Sequence, residues 1–135
     1  MIASHEIRDG IVLYLDPDEL EAEGGVSNGA GPGRVAGAHF FVCIAADEAT
    51  GNWVPLFSGA GPYRDLVPYD EKEGSASWRE STAYFHETQV WQAPHSAVVV
   101  ASIAAGDPSQ PGERNALTRA GIDLVYDTVF SGSGA

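Results

Sequence analysis

Apolar residues fall along this chain in short runs separated by turn-forming clusters, the pattern of a β-rich domain. The strongest signal is residues 39–58, HFFVCIAADEATGNWVPLFS. After His39 the run to Ala46 carries almost no polar side chain, which predicts a strand covered on both faces. Asp47, Glu48, Thr50, Gly51 and Asn52 then break it. Glycine tolerates positive φ, and Asp and Asn bond their own backbone. Trp53, Val54, Leu56 and Phe57 rebuild an apolar strand. Pro55 has no N–H to donate, so this second strand is expected at a sheet edge or bulged at the proline. A hairpin this apolar is not stable alone and requires more sheet around it.

The other runs supply that sheet. Residues 11–15 predict a first strand, stopped by Asp16 and Pro17. Residues 63–69 read as a short strand. Residues 84–91 alternate, with Phe85 and Trp91 on one face and Tyr84, His86 and Val90 on the other. Residues 96–104, with three consecutive valines, predict another buried strand. Residues 113–120 are expected to form a short helix, Glu113 favouring its N-terminal end and Arg119 its C-terminal end, with Gly121 as the cap. Residues 122–130 predict a final strand, with a continued helix as the alternative. The expected fold is therefore mainly β: about six strands in a small barrel or curled antiparallel sheet, with one short late helix. One domain is expected over residues 1–130, and SGSGA at 131–135 reads as a disordered tail.

Composition narrows the picture. A chain of 135 residues, 44% hydrophobic, forms one domain with a real core. Nineteen acids against seven bases leave a net charge of −12. That repels phosphate backbones at long range and excludes a generic basic nucleic-acid face. It fits a soluble protein, an imitator of nucleic acid, or attraction to a basic protein partner. Cys43 stands alone in a buried-looking strand, which excludes an internal disulfide and predicts a packed, inert thiol in a reducing cytoplasm. No apolar run is long enough to cross a bilayer, and the first residues lack the pattern of a secretory signal. No membrane contact and a cytoplasmic location are expected.

Candidate chemistry is sparse. His5, His39, His86 and His95 never fall at i, i+2 or i, i+4, so no metal site is expected. The glycine-rich segment from Gly24 to Gly37 lacks the Lys of a phosphate-binding loop, and no G-x-S-x-G occurs, so no cofactor is expected. Residues 16–23 hold five acids. Asp16 or Asp18 could cap a helical turn. The spacing lacks the central Gly and distal Glu of a calcium loop. Asp18, Glu19 and Glu21 are therefore read as a solvated acidic loop that could meet a partner. Trp78 lies in the polar stretch S-A-S-W-R-E-S and is the aromatic residue expected to bind something.

Gly10-Ile-Val-Leu-Tyr-Leu-Asp-Pro17 resembles the opening strand of the PemK/MazF-like growth-inhibitor toxins. Gly37-Ala-His39-Phe-Phe-Val-Cys-Ile44, followed by Trp53-Val-Pro-Leu-Phe-Ser58, resembles that family's next two strands. The similarity covers residues 10–58. It implies a small SH3-like barrel with a C-terminal helix, usually a homodimer. It also implies metal-independent cleavage of single-stranded RNA and neutralisation by an antitoxin peptide. In that family an Arg holds the phosphate and a hydroxyl lies near the 2′-OH. Here the Arg position falls on His39 and the Thr position on Phe57, with Ser58 next to it. Arg34, in the preceding loop, and Arg64, past the second strand, are the guanidinium groups that could take the missing role. The catalytic candidates implied are His39, Ser58, Arg34 and Arg64.

Two functions follow. A ribonuclease predicts a neutral or positive cleft at His39 and Ser58 despite the overall charge. A binding module with a degenerate catalytic site, engaging a protein partner or antitoxin peptide through Trp78 and the acidic segment, predicts acids gathered away from any pocket. The binding module is the leading expectation, because the net charge disfavours RNA.

Overall fold

A computed structural model describes residues 2–28, 34–103 and 114–131. In chain order it contains β1 (Val12–Leu15), α1 (Pro17–Ala22), β2 (Val26–Ser27), β3 (His39–Ala46) and β4 (Thr50–Phe57). Then follow β5 (Arg64–Leu66), β6 (Lys72–Glu73), α2 (Ala76–Glu80), β7 (Tyr84–His86) and β8 (Trp91–Pro94). Last come α3 (His95–Ala101), β9 (Ala116–Leu117) and α4 (Arg119–Ser131). The fold is mainly β, as expected, and every strand pairing is antiparallel. The main sheet runs β1-β3-β4-β7-β5, with β8 also on β4 and β2 on β8, while β6 and β9 pair separately. It curls without closing into a barrel. Among the described residues, no helix is long and apolar enough to cross a membrane.

The hairpin predicted at 39–58 is the centre of this sheet. Asp47 closes its turn, its Oδ1 accepting the N–H groups of Ala49 and Thr50 at 2.8 Å each. These bonds hold the Asp47 carboxyl below its usual range. β4 is not an edge strand. Phe41 of β3 lies opposite Pro55. On the other side, β8 pairs with residues 50–53 and β7 with Leu56 and Phe57. The missing N–H of Pro55 therefore falls between two partner strands, where no ladder bond is lost. The bulge lies on β3, between Cys43 and Ala45.

Both faces of the hairpin are covered. On one, Leu13, Leu15, Phe41, Cys43 and Trp53 pack with Leu20 of α1 and with Ala97, Val98 and Ala101 of α3. On the other, Val42, Ile44, Val54 and Leu56 pack with Trp78 of α2 and with Ile122, Val125 and Val129 of α4. Burial, then the nearby Asp9, pushes the Cys43 thiol up to about 12, so it is a core group and not a nucleophile.

Several sequence expectations change. There are nine strands, several of only two or three residues, and four helices among the described residues. The valines at 98–100 lie in α3, not in a strand; α3 seats Ala97, Val98 and Ala101 on the sheet and leaves Val100 half exposed. Residues 84–91 are two strands. His86 Nδ1 accepts the N–H groups of Thr88 and Gln89 at 3.1 and 3.0 Å and breaks the run between them. The expected helix at 113–120 is replaced by β9 and the start of α4, which continues through 122–130. Glu113 and residues 132–135 of the expected tail lie outside the described residues. Gly121 is interior to α4, not a cap. A Cβ there would stand 2.9 Å from Glu71 Cβ, so the helix packs against Glu71 through that glycine. Asp16 does cap α1, its Oδ1 accepting from Asp18 N–H at 2.9 Å.

Candidate functional site

Antiparallel pairing decides where the candidate residues meet. With Phe41 opposite Pro55, stepping two residues outward brings His39, at the start of β3, alongside the end of β4. The His39 ring meets the Phe57 ring edge-on, centroids 5.0 Å apart. His39 Nδ1 lies 3.2 Å from the Leu56 carbonyl oxygen. A carbonyl only accepts, so Nδ1 carries the hydrogen and the neutral ring keeps Nε2 as a bare acceptor. Nε2 has no hydrogen-bond partner among the described residues.

Arg64, on β5, lies over the same ring, its guanidinium carbon 3.8 Å from the Phe57 centroid. Its Nη1 donates to the Gly59 carbonyl at 3.0 Å. Imidazole and guanidinium thus both meet one phenyl ring. Tyr63 precedes Arg64 with φ +61°, the only non-glycine positive φ among the described residues. A tyrosine in that region is strained by its Cβ, and such strain clusters at working sites. Its exposed ring stacks on His86 at 6.4 Å. His86 faces Arg64 across the β5–β7 pair. Burial, then Arg64, depresses the His86 pKa. With two backbone N–H groups aimed at Nδ1, this ring is neutral with its hydrogen on Nε2.

His39, Phe57 and Arg64 open into a cleft of about 980 Å³ between the hairpin end and α2. Tyr14, Phe40 and Trp78 form an aromatic wall, with ring centroids 4.9 Å and 6.5 Å apart in sequence along it. Ser58, Ser75, Ser77, Ser81 and Thr82 supply hydroxyls. Among the described residues no Asp or Glu lines the cleft, although the chain has nineteen. Among the described residues its formal charge comes from Arg64. Behind the wall, Lys72 is 5% exposed. Its Nζ donates to the Ser81 carbonyl and faces the Trp78 and Tyr69 rings at 4.7 and 4.8 Å. No carboxylate pairs with it among the described residues, and burial lowers its pKa.

Of the sequence candidates, the structure brings His39, Ser58, Arg64 and Trp78 to one cleft. Arg34 goes elsewhere. It bridges Asp18 at 2.8 Å and Glu21 at 3.2 Å on α1 and sits over Trp91. Nearby carboxylates captured it before it could reach His39. Asp18, Glu19 and Glu21 lie on a short helix instead of a loop, and none lines the cleft. Trp78 is on α2 and 6% exposed, its Nε1 donating to the Ala116 carbonyl at 3.3 Å, so it meets the cleft as part of a packed wall and not as a free loop aromatic. Sequence reasoning missed Tyr14 and Phe40 in the cleft lining and gave His86 no role at the site. Comparisons with protein families, with curated proteins and with solved structures find no match for this chain.

Proposed function

We propose that this protein is a binding module for a short single-stranded stretch of RNA, held in the cleft, with an incomplete catalytic set. One observation carries the reading: in a strongly acidic chain, the His39 ring and the Arg64 guanidinium both meet Phe57 in an aromatic cleft that no carboxylate lines among the described residues. Bases stack on aromatic rings with little sequence preference, and a guanidinium pairs with a phosphate. The resemblance of residues 10–58 to the PemK/MazF-like toxins supports the same ligand. Net charge opposes approach, but its reach is about 8 Å at physiological salt, so the cleft's own lining decides at contact.

Chemistry separates binding from cleavage. Attack by the 2′-OH requires a base to take its proton and an acid to protonate the departing 5′ oxygen. His39 is oriented to be the base. Ser58 is far too weak an acid at neutral pH to be the partner. His86, 6.1 Å from Phe57 between ring centroids, would have to act as an imidazolium, and burial and Arg64 both oppose that form. A metal-independent endoribonuclease is the second reading, favoured by the fixed His39 tautomer beside Arg64.

The test pairs two measurements. The protein is titrated against a fluorescent 2′-O-methyl oligoribonucleotide, which cannot be cleaved, and is incubated with a long unstructured RNA in EDTA. Wild type is expected to bind the oligonucleotide, and Arg64→Ala to weaken it about tenfold. No cleavage is expected. RNA cleavage that disappears in His39→Ala or Ser58→Ala establishes the enzyme instead. Absence of binding by the wild-type protein refutes both.

A further inference from the structure

A second pocket, of about 460 Å³, adjoins the cleft. Arg8, Arg79 and Arg114 line it, three of the seven basic residues of the chain. Among the described residues, the only carboxylate lining it is Glu73. Ser75 borders both spaces. The partition between them is fixed. Asn115 Oδ1 accepts from Ser75 N–H at 3.0 Å and from Ser75 Oγ at 3.1 Å. Gly74 turns there with φ +123°, and a Cβ at Gly74 would stand 2.5 Å from that same oxygen. Arg114 is anchored by Glu6, Nη2 to Oε2 at 3.1 Å. Arg79 spends only Nε, on the Gly74 carbonyl at 3.0 Å. Arg8 is exposed, and its guanidinium makes no hydrogen bond or ion pair among the described residues.

We infer that this arginine pocket is a phosphate subsite for the strand that occupies the cleft, receiving a backbone phosphate beyond the nucleotides held between Trp78 and Phe57. The inference rests on the RNA reading of the cleft. Three guanidinium groups at one depression repel one another; Glu6 offsets Arg114, and a bound anion would offset the others further. Among the described residues, Arg8 and Arg79 keep their terminal nitrogens available for a phosphate, which guanidinium binds with two parallel hydrogen bonds. The shared Ser75 wall sets the two sites side by side, close enough for one linear polyanion to cross from one to the other. The three arginines lie far apart in sequence, so only the fold assembles the pocket.

The experiment uses the whole chain as wild type, Arg8→Ala and Arg79→Ala, both at exposed positions, with three probes. Two are 2′-O-methyl oligoribonucleotides of three and ten nucleotides; the third is inorganic pyrophosphate, followed by calorimetry. Each variant is expected to weaken the ten-mer about three- to tenfold, to leave the trimer unchanged, and to lower the salt slope of ten-mer affinity by roughly one. Pyrophosphate, which has no base to stack, is expected to bind wild type and to lose affinity in Arg79→Ala. Oligonucleotide binding that neither variant alters overturns the subsite while leaving the cleft reading intact. Pyrophosphate binding that depends on Arg79, with neither oligonucleotide bound, overturns the cleft reading and the strand path together.

Discussion

His86 and Lys72 show how a residue's surroundings set its chemistry. His86 spends Nδ1 on two backbone N–H groups and faces Arg64, so the folded state resists protonating it. Its folded pKa lies below the 6.5 of the free side chain. As pH falls below 6.5 the unfolded chain takes up this proton first, so the contribution is complete above that value and is lost on acidification. His86→Asn keeps an acceptor and removes the titration. Urea unfolding at about pH 7.5 and 5.5 should show a smaller acid loss in His86→Asn than in wild type; an equal loss refutes the assignment. Lys72 obeys the same sign at the other end of the scale. Its folded pKa is below 10.5, so the unfolded chain holds more protons and stability rises with pH up to that value. Lys72→Met should abolish that rise between about pH 8 and 10, measured in the same way. Neither behaviour was legible in the sequence, where His86 read as one position in an alternating strand and Lys72 fell outside every predicted strand and helix.

At the level of elements, α4 is the instructive case. Ile122, Val125 and Val129 are spaced three and four apart and are buried, while Leu124 and Tyr126 are half exposed. That spacing is helical, yet β-branched and aromatic residues made the segment read equally as an alternating strand. α3 misled for the same reason: its three valines favour a strand by propensity, and packing against the sheet overrode them. Val125→Ala should therefore cost about 1–3 kcal/mol, and Leu124→Ala less than about 0.5 kcal/mol. Equal costs in thermal unfolding would exclude this helical register. Gly121→Ala sets two effects against each other. Alanine gains up to about 1 kcal/mol in a helix interior, while overpacking costs about 1–3 kcal/mol. A methyl 2.9 Å from Glu71 Cβ meets backbone-anchored atoms that cannot swing away, so overpacking wins and the variant should melt lower.

For the whole molecule, net charge and local charge act in opposite directions. The field of −12 repels RNA at a distance, while the cleft and the arginine pocket, on the proposed binding reading, attract phosphate at contact. Adding salt from about 10 to 150 mM should therefore raise the association rate by screening the repulsion, and raise the dissociation rate by weakening the contacts. Stopped-flow fluorescence resolves the two. An association rate that falls with salt would mean that a positive local field governs encounter.

The sequence by itself determined the class and the hinge of the site. Apolar runs broken by Asp, Asn and Gly can satisfy their backbone only as a hairpin within a larger sheet. Antiparallel pairing of that hairpin then places residue 39 beside residues 56–58 whatever else the chain does. Short-range rules therefore reached His39, Phe57 and Ser58. Tertiary structure alone decided the rest. Arg34 and Arg64 are equal candidates on paper; ion pairs to α1 took one, and the β5–β7 pairing set the other on Phe57. Trp78 and the arginines at 8, 79 and 114 owe their positions to contacts between distant segments, which no local pattern encodes.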